Sequence, residues 1–162
     1  MNWKEEETQT SRITRESLQK RFIKEELMRY YFYLGRVKDI NADIEEFKLE
    51  YQEELNNPSV GGSIIKMPDG SMCSDNKVMI LMRKLNDMEE NLKYYINKMN
   101  VLDSWLNFIT KSQQKIVKIY VIKYQCQERS HAAAELKCSE ELIMKQTNRA
   151  INRIYANFKE FS

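Results

Sequence analysis

Near the C-terminal end of the chain, Glu141, Lys145, Asn148 and Asn152 recur three or four residues apart, so on a helix they share one face. Each carries hydrogen-bonding groups that match a base edge in the major groove of duplex DNA. Asparagine pairs bidentately with adenine, lysine and arginine donate to guanine, and a carboxylate accepts from cytosine. Ser139, Glu140, Met144 and Arg149 lie on or beside the same face. Lys111, Lys115, Lys118, Lys123, Arg129 and Arg153 are suited to flanking phosphates, contacts that position a helix without reading sequence. The chemistry these residues offer is recognition.

Bond-making chemistry has no comparable set. His131 is the single histidine, and no cysteine or carboxylate stands at ligand spacing from it, so no metal site is expected. Cys73, Cys126 and Cys138 are odd in number and far apart, which reads as reduced thiols. Gly61-Gly62 is not set between a strand and a helix, so no phosphate-cradling loop is expected. Acid pairs such as Glu45-Glu46, Glu53-Glu54 and Glu89-Glu90 fall on polar helix faces. The aromatic run Tyr30-Tyr31-Phe32-Tyr33 reads as packing surface. The expectation is a protein that is not an enzyme, with no catalytic residues and no cofactor.

A recognition face needs a rigid helix and a partner helix to aim it. Thr110 with Gln113 fits a capping box and opens a helix over Ser112–Tyr124. Ser130 is placed to cap a short helix, His131–Leu136. Lys137-Cys138 turn the chain, and Ser139 caps a long last helix with Glu140 and Glu141 in its first turn, where the helix dipole favours acids. Ala133 is small where the two helices must cross. Leu136 and Cys138 close the turn, and Ile143, Thr147, Ala150, Ile151, Ile154 and Phe158 form the inner face. This is the spacing of a helix-turn-helix. Lys137 stands where glycine is commonest, so a left-handed backbone there carries mild strain.

The rest of the chain is also helical in pattern. Only four glycines and two prolines punctuate 162 residues, too few for many tight turns. Residues 1–13 read as a polar tail and 14–55 as one amphipathic helix. Its heptad series is Leu27, Tyr30, Leu34, Val37, Asn41, Ile44, Lys48, Tyr51 and Leu55, with Asn41 and Lys48 as polar interruptions that set register. Residues 56–75 hold both prolines and read as a loop or a small β-hairpin turning at Pro68-Asp69-Gly70. Residues 76–109 follow, with Val78, Leu81, Leu85, Met88, Leu92, Tyr95, Met99 and Leu102 in unbroken heptad spacing and a short connecting helix at 103–109. Residues 110–162 make the helix-turn-helix domain. The fold class is all-α: a helical hairpin or coiled-coil arm followed by a small helical bundle. No apolar run approaches the roughly 20 residues that span a bilayer. Charge is uneven: residues 101–162 carry 10 Lys+Arg against 6 Asp+Glu, and residues 1–100 carry 16 against 18. A basic C-terminal third suits a polyanionic partner.

Ile116 to Ile154 resembles region four of sigma-70 factors, through Ala133-Ala134-Glu135-Leu136-Lys137-Cys138-Ser139 and Arg149-Ala150-Ile151. That resemblance implies promoter-contacting positions at Glu141, Met144 and Lys145. His131 and Ala132 stand where a Glu-Ile pair is usual, and Glu140 and Met144 replace basic residues. Nothing resembles sigma region two. Over about residues 55–158 the layout is similar to phage and prophage late-gene transcriptional activators of the ArpU/RinA type. The resemblance implies activation of phage late genes from promoter DNA with host RNA polymerase, in the bacterial cytoplasm at the nucleoid. The heptad helices imply a possible homodimer, and the lack of a bilayer-spanning apolar run implies no membrane partner. Two alternatives are a phage small terminase subunit, which packages DNA, and a region-four mimic that binds RNA polymerase.

Overall fold

The computed structural model describes the backbone of residues 3–57, 63–66, 72–75 and 77–160, and the side chains of residues 14–57 and 77–158. The fold is all-α with one short β-ribbon. In chain order the elements are α1 (Trp3–Met28), α2 (Tyr30–Asn56), β1 (Ser63–Lys66), β2 (Met72–Asp75), α3 (Lys77–Asn107), α4 (Lys111–Ile116), a π-helical turn (Val117–Lys123), α5 (Arg129–Leu136) and α6 (Glu140–Glu160). Among the described residues no helix is long and apolar enough to cross a membrane.

Three boundaries differ from the sequence expectation. The helix begins at Trp3 rather than near residue 14, because the segment has no Gly or Pro and is rich in Glu, Gln, Lys and Arg, which lose little rotamer freedom in a helix. A single helix over 14–55 is interrupted at Arg29, whose N–H bonds back only three residues, to the Glu26 carbonyl at 3.0 Å. The heptad helix and the short connecting helix expected at 103–109 are one helix that runs to Asn107, since Val101-Leu102 offers no breaker. β1 and β2 pair antiparallel from Ser63↔Asp75 to Lys66↔Met72. The Pro68-Asp69-Gly70 turn and the Gly61-Gly62 pair lie outside the described residues.

The chain divides into two compact units, residues 1–32 with 99–162 and residues 33–98. In the second unit the core-facing residues of α2 are Tyr33, Val37, Ile40, Ile44, Phe47, Tyr51 and Glu54, none of them exposed. This heptad differs from the expected series at every second position, by one residue. Asn41 and Lys48 are therefore exposed, and Ile40 and Phe47 hold the places assigned to them. The polar residue in the seam is Glu54, which is buried, with its Oε2 3.8 Å from Lys77 Nζ. On α3, Val78, Leu81, Leu85, Met88, Leu92 and Tyr95 are buried or half-buried, as their spacing predicts. Tyr33 meets Tyr95 with ring centroids 6.2 Å apart, and the Arg36 guanidinium lies 5.4 Å from the same Tyr95 ring.

The first unit gathers more of the chain than residues 110–162. α1 packs on both α6 and the π-helical turn, and its Ile23 and Leu27 are fully buried there. Leu102, Trp105 and Leu106 of α3 join the same core, as do Val117, Tyr120, Val121 and Ile122. The expected α-helix over Ser112–Tyr124 widens after Ile116. The apolar run Ile116-Val117-Lys118-Ile119-Tyr120-Val121-Ile122 is broader than one α-helical stripe, and the wider turn ends with Tyr124 N–H bonded to the Ile119 carbonyl at 3.0 Å.

Candidate nucleic-acid interface

The platform beneath the candidate face starts at Thr110. Its Oγ1 accepts from Gln113 N–H and its own N–H donates to Gln113 Oε1, both at 3.2 Å, so the expected capping box is present. The Gln113 side chain then donates to Gln146 Oε1 on α6 at 3.3 Å. α4 is thereby tied to the helix that carries the face.

α5 starts at Arg129, not after a Ser130 cap. The preceding residue, Glu128, is left-handed, and its carbonyl accepts from His131 and Ala132. Ser130 sits inside the helix with an exposed side chain. The helix stops at Leu136 because Lys137 turns left-handed, with φ 54° and ψ 45°. Lys137 N–H then bonds the Ala134 carbonyl and Cys138 N–H bonds the Ala133 carbonyl, at 3.3 and 3.1 Å. That pairing satisfies the last carbonyls of α5 in the manner usually built on glycine. Ser139 opens α6, its Oγ accepting from Leu142 N–H at 3.1 Å. Both Ala132 and Ala133 are buried, so two small residues rather than one face the core.

α6 separates cleanly into two faces. Ile143, Thr147, Ala150, Ile151 and Ile154 are buried. Phe158, expected with them, is 37% exposed and meets Trp105 edge-on, with centroids 6.4 Å apart. Leu136 and Cys138, expected to close the turn in the core, are half-buried. On the opposite side Ser139, Glu140, Glu141, Lys145, Asn148, Arg149 and Asn152 are exposed, as is Arg153 beside them. Met144 departs from this group. It is half-buried, and its sulfur accepts from the Tyr120 hydroxyl at 3.6 Å.

Lys111, Lys115, Lys118 and Arg129 are exposed on α4, the π-helical turn and α5. Among the described residues these four, together with Lys145, Arg149 and Arg153, enter no ion pair. Lys123 is different: its ammonium donates to Glu135 Oε1 at 2.7 Å, and Tyr124 OH donates to Glu135 Oε2 at the same distance. The Lys123 bond, then the Tyr124 bond, hold the Glu135 carboxyl below its ordinary value. This exposed cluster fastens α5 to the π-helical turn and leaves Lys123 committed within the protein. The Tyr124 ring also stacks on His131, which stands 3.6 Å from Glu128. Among the described residues no three His, Cys, Asp or Glu side chains are grouped to hold a metal ion.

Sequence reasoning missed the contribution of α1. The signal was present in Ile23 and Leu27, one helical turn apart, but only Leu27 entered the expected series. Burial pushes the Cys126 thiol up, against the opposing effect of Lys24 of α1. No protein-family model, curated protein or solved structure matches this chain.

Proposed function

We propose that this chain is a sequence-specific regulator of transcription that binds duplex DNA through α6, with α5 and the Lys137 turn as the other half of a helix-turn-helix. The observation that carries the reading is the outward face of α6. Lys145, Asn148, Arg149 and Asn152 are exposed there without a side-chain partner among the described residues, opposite an unbroken buried face. A helix held by its buried inner face, with unpaired cations and amides along the middle of its outer one, is what a major groove accepts. Lys111, Lys115, Arg129 and Arg153 supply phosphate contacts around it.

Within this reading the chain is an activator of phage late genes, working beside host RNA polymerase in the bacterial cytoplasm. A homodimer forms through the outer faces of α2 and α3, whose seams close on each other within the chain, and its two recognition helices meet half-sites about 34 Å apart or a multiple of that. The test is a footprint on the duplex flanking its gene, with and without polymerase. The wild-type chain protects a discrete site, and Lys145→Ala and Asn148→Ala each weaken that protection by roughly ten-fold while keeping the helical spectrum. Unchanged protection by both variants overturns the assignment of α6.

A further inference from the structure

Resting on the DNA reading above, we infer that the middle of α6 reads the bases, with Asn148 and Asn152 each engaging an adenine. α6 contains three asparagines, and they are used differently. Asn157 folds back, its Nδ2 donating to the Arg153 carbonyl at 2.9 Å, so local structure accounts for it. Asn148 and Asn152 are exposed, and no hydrogen bond to either side chain is made among the described residues. Neither caps the helix. Asparagine is a poor choice for a helix interior because its amide competes for backbone groups, and here that competition brings no compensating bond. Asn41 and Asn91 are equally exposed and unbonded on other helices, so it is the company of the outward cations on α6, and not the missing bonds alone, that points to a partner for Asn148 and Asn152.

The charge along α6 sets where that partner lies. Glu140 and Glu141 occupy the exposed first turn, where they repel phosphates on the groove walls. The cations come later, at Lys145, Arg149 and Arg153, and none is paired within the described structure. Helices of this kind commonly read with their N-terminal residues. Here the acids push the helix along the groove until the span from Lys145 to Arg153 faces the bases. Within that span the outward amides are Asn148 and Asn152. Each presents a donor and an acceptor that fit adenine N7 and N6 together. Four residues of helix rise about 6 Å, close to two base-pair steps. The site therefore contains two A·T pairs about two steps apart.

Selection of the full-length chain against a randomised duplex library tests this. The wild type enriches a motif with two adenine columns at that separation. Asn148→Ala and Asn152→Ala each flatten one column, losing roughly ten-fold or more of its discrimination, and leave the other columns standing. Asn148→Asp converts its column from adenine towards cytosine, because a carboxylate accepts from the cytosine amine. Asn157→Ala, which removes an amide already spent on the Arg153 carbonyl, leaves both adenine columns intact. If the enriched motif is indifferent to both asparagines, or loses an adenine column in Asn157→Ala, the inference fails while DNA binding stands. If the wild-type chain retains no duplex at all, the DNA reading itself fails, and this inference with it.

Discussion

The side-chain amide of Gln125 donates to the backbone carbonyl of Met28 at 2.7 Å, closing the last turn of α1 with a residue 97 positions further along. The same nitrogen donates to the Ile122 carbonyl, also at 2.7 Å, at the end of the π-helical turn. Gln125 reaches both from a left-handed backbone, with φ 57°. One amide thus joins two helix ends that would otherwise leave carbonyls unpaired. Gln125→Ala is expected to lower stability by about 1–2 kcal/mol. Gln125→Glu is expected to cost more, since a carboxylate has no donor and brings negative charge against two carbonyls. Urea unfolding followed by circular dichroism gives both values. A glutamate variant as stable as wild type removes this bond from any account of how α1 is held.

Lys137 makes the turn between α5 and α6 in a conformation that costs an L side chain roughly 1 kcal/mol. Glycine adopts it freely, and Lys137 is exposed, so no packing is lost by trimming it. Lys137→Gly is expected to stabilise the protein by about 0.5–1 kcal/mol, and Lys137→Val, branched at Cβ, to destabilise it by more than that. The melting temperatures of the two variants should fall on either side of wild type.

Thr147 sits on the buried face of α6 at 1% exposure, and its hydroxyl has no hydrogen-bond partner among the described residues. A buried donor without a partner pays its desolvation in full. Thr147→Val removes the hydroxyl and nearly conserves the shape, so stability is expected to rise by about 1 kcal/mol. Because the residue points away from Lys145 and Asn148, duplex binding by the variant should equal that of wild type in the same titration. Lower stability in the valine variant would show that the hydroxyl is satisfied in solution.

The α2 seam shows where periodicity misled. Heptad spacing through Val37, Ile44 and Tyr51 is common to the expected and observed series, so the helix and its buried side were legible. The intervening positions were not: Leu34, Asn41, Lys48 and Leu55 were expected where Tyr33, Ile40, Phe47 and Glu54 lie. Neighbouring hydrophobic residues at Tyr33 and Leu34 opened both registers and Leu55 sustained the wrong one, although Ile40 and Phe47 beside Asn41 and Lys48 already favoured the observed register in sequence. α6 was more legible because its polar and apolar residues segregate without such doubling. The π-helical turn and the docking of α1 depend on tertiary contacts that local pattern does not encode. The observed register makes a sharp prediction. Ile40→Asn is expected to cost about 2–4 kcal/mol by burying an unpaired amide and losing apolar contact. Asn41→Ala, at the neighbouring exposed position, should change stability by less than about 0.5 kcal/mol. Equal effects at the two sites would restore the other register.

Lys123 provides the internal control for the phosphate contacts. Like Lys111, Lys115, Arg129 and Arg153 it is an exposed cation, but its charge is already engaged by Glu135 at 2.7 Å. Neutralising a phosphate releases a counterion, so each cation that touches the backbone adds about one unit to the salt dependence of binding. Alanine at Lys111, Lys115, Arg129 or Arg153 should therefore reduce the slope of log affinity against log salt by about one per residue, with the enriched motif unchanged. Lys123→Ala should leave the slope near its wild-type value and act instead on stability, by freeing Glu135. A slope that falls equally for all five variants would mean the Lys123–Glu135 pair opens on DNA. A slope unmoved by the first four would leave α6 without a flanking phosphate frame, and with too few contacts to hold its register on a duplex.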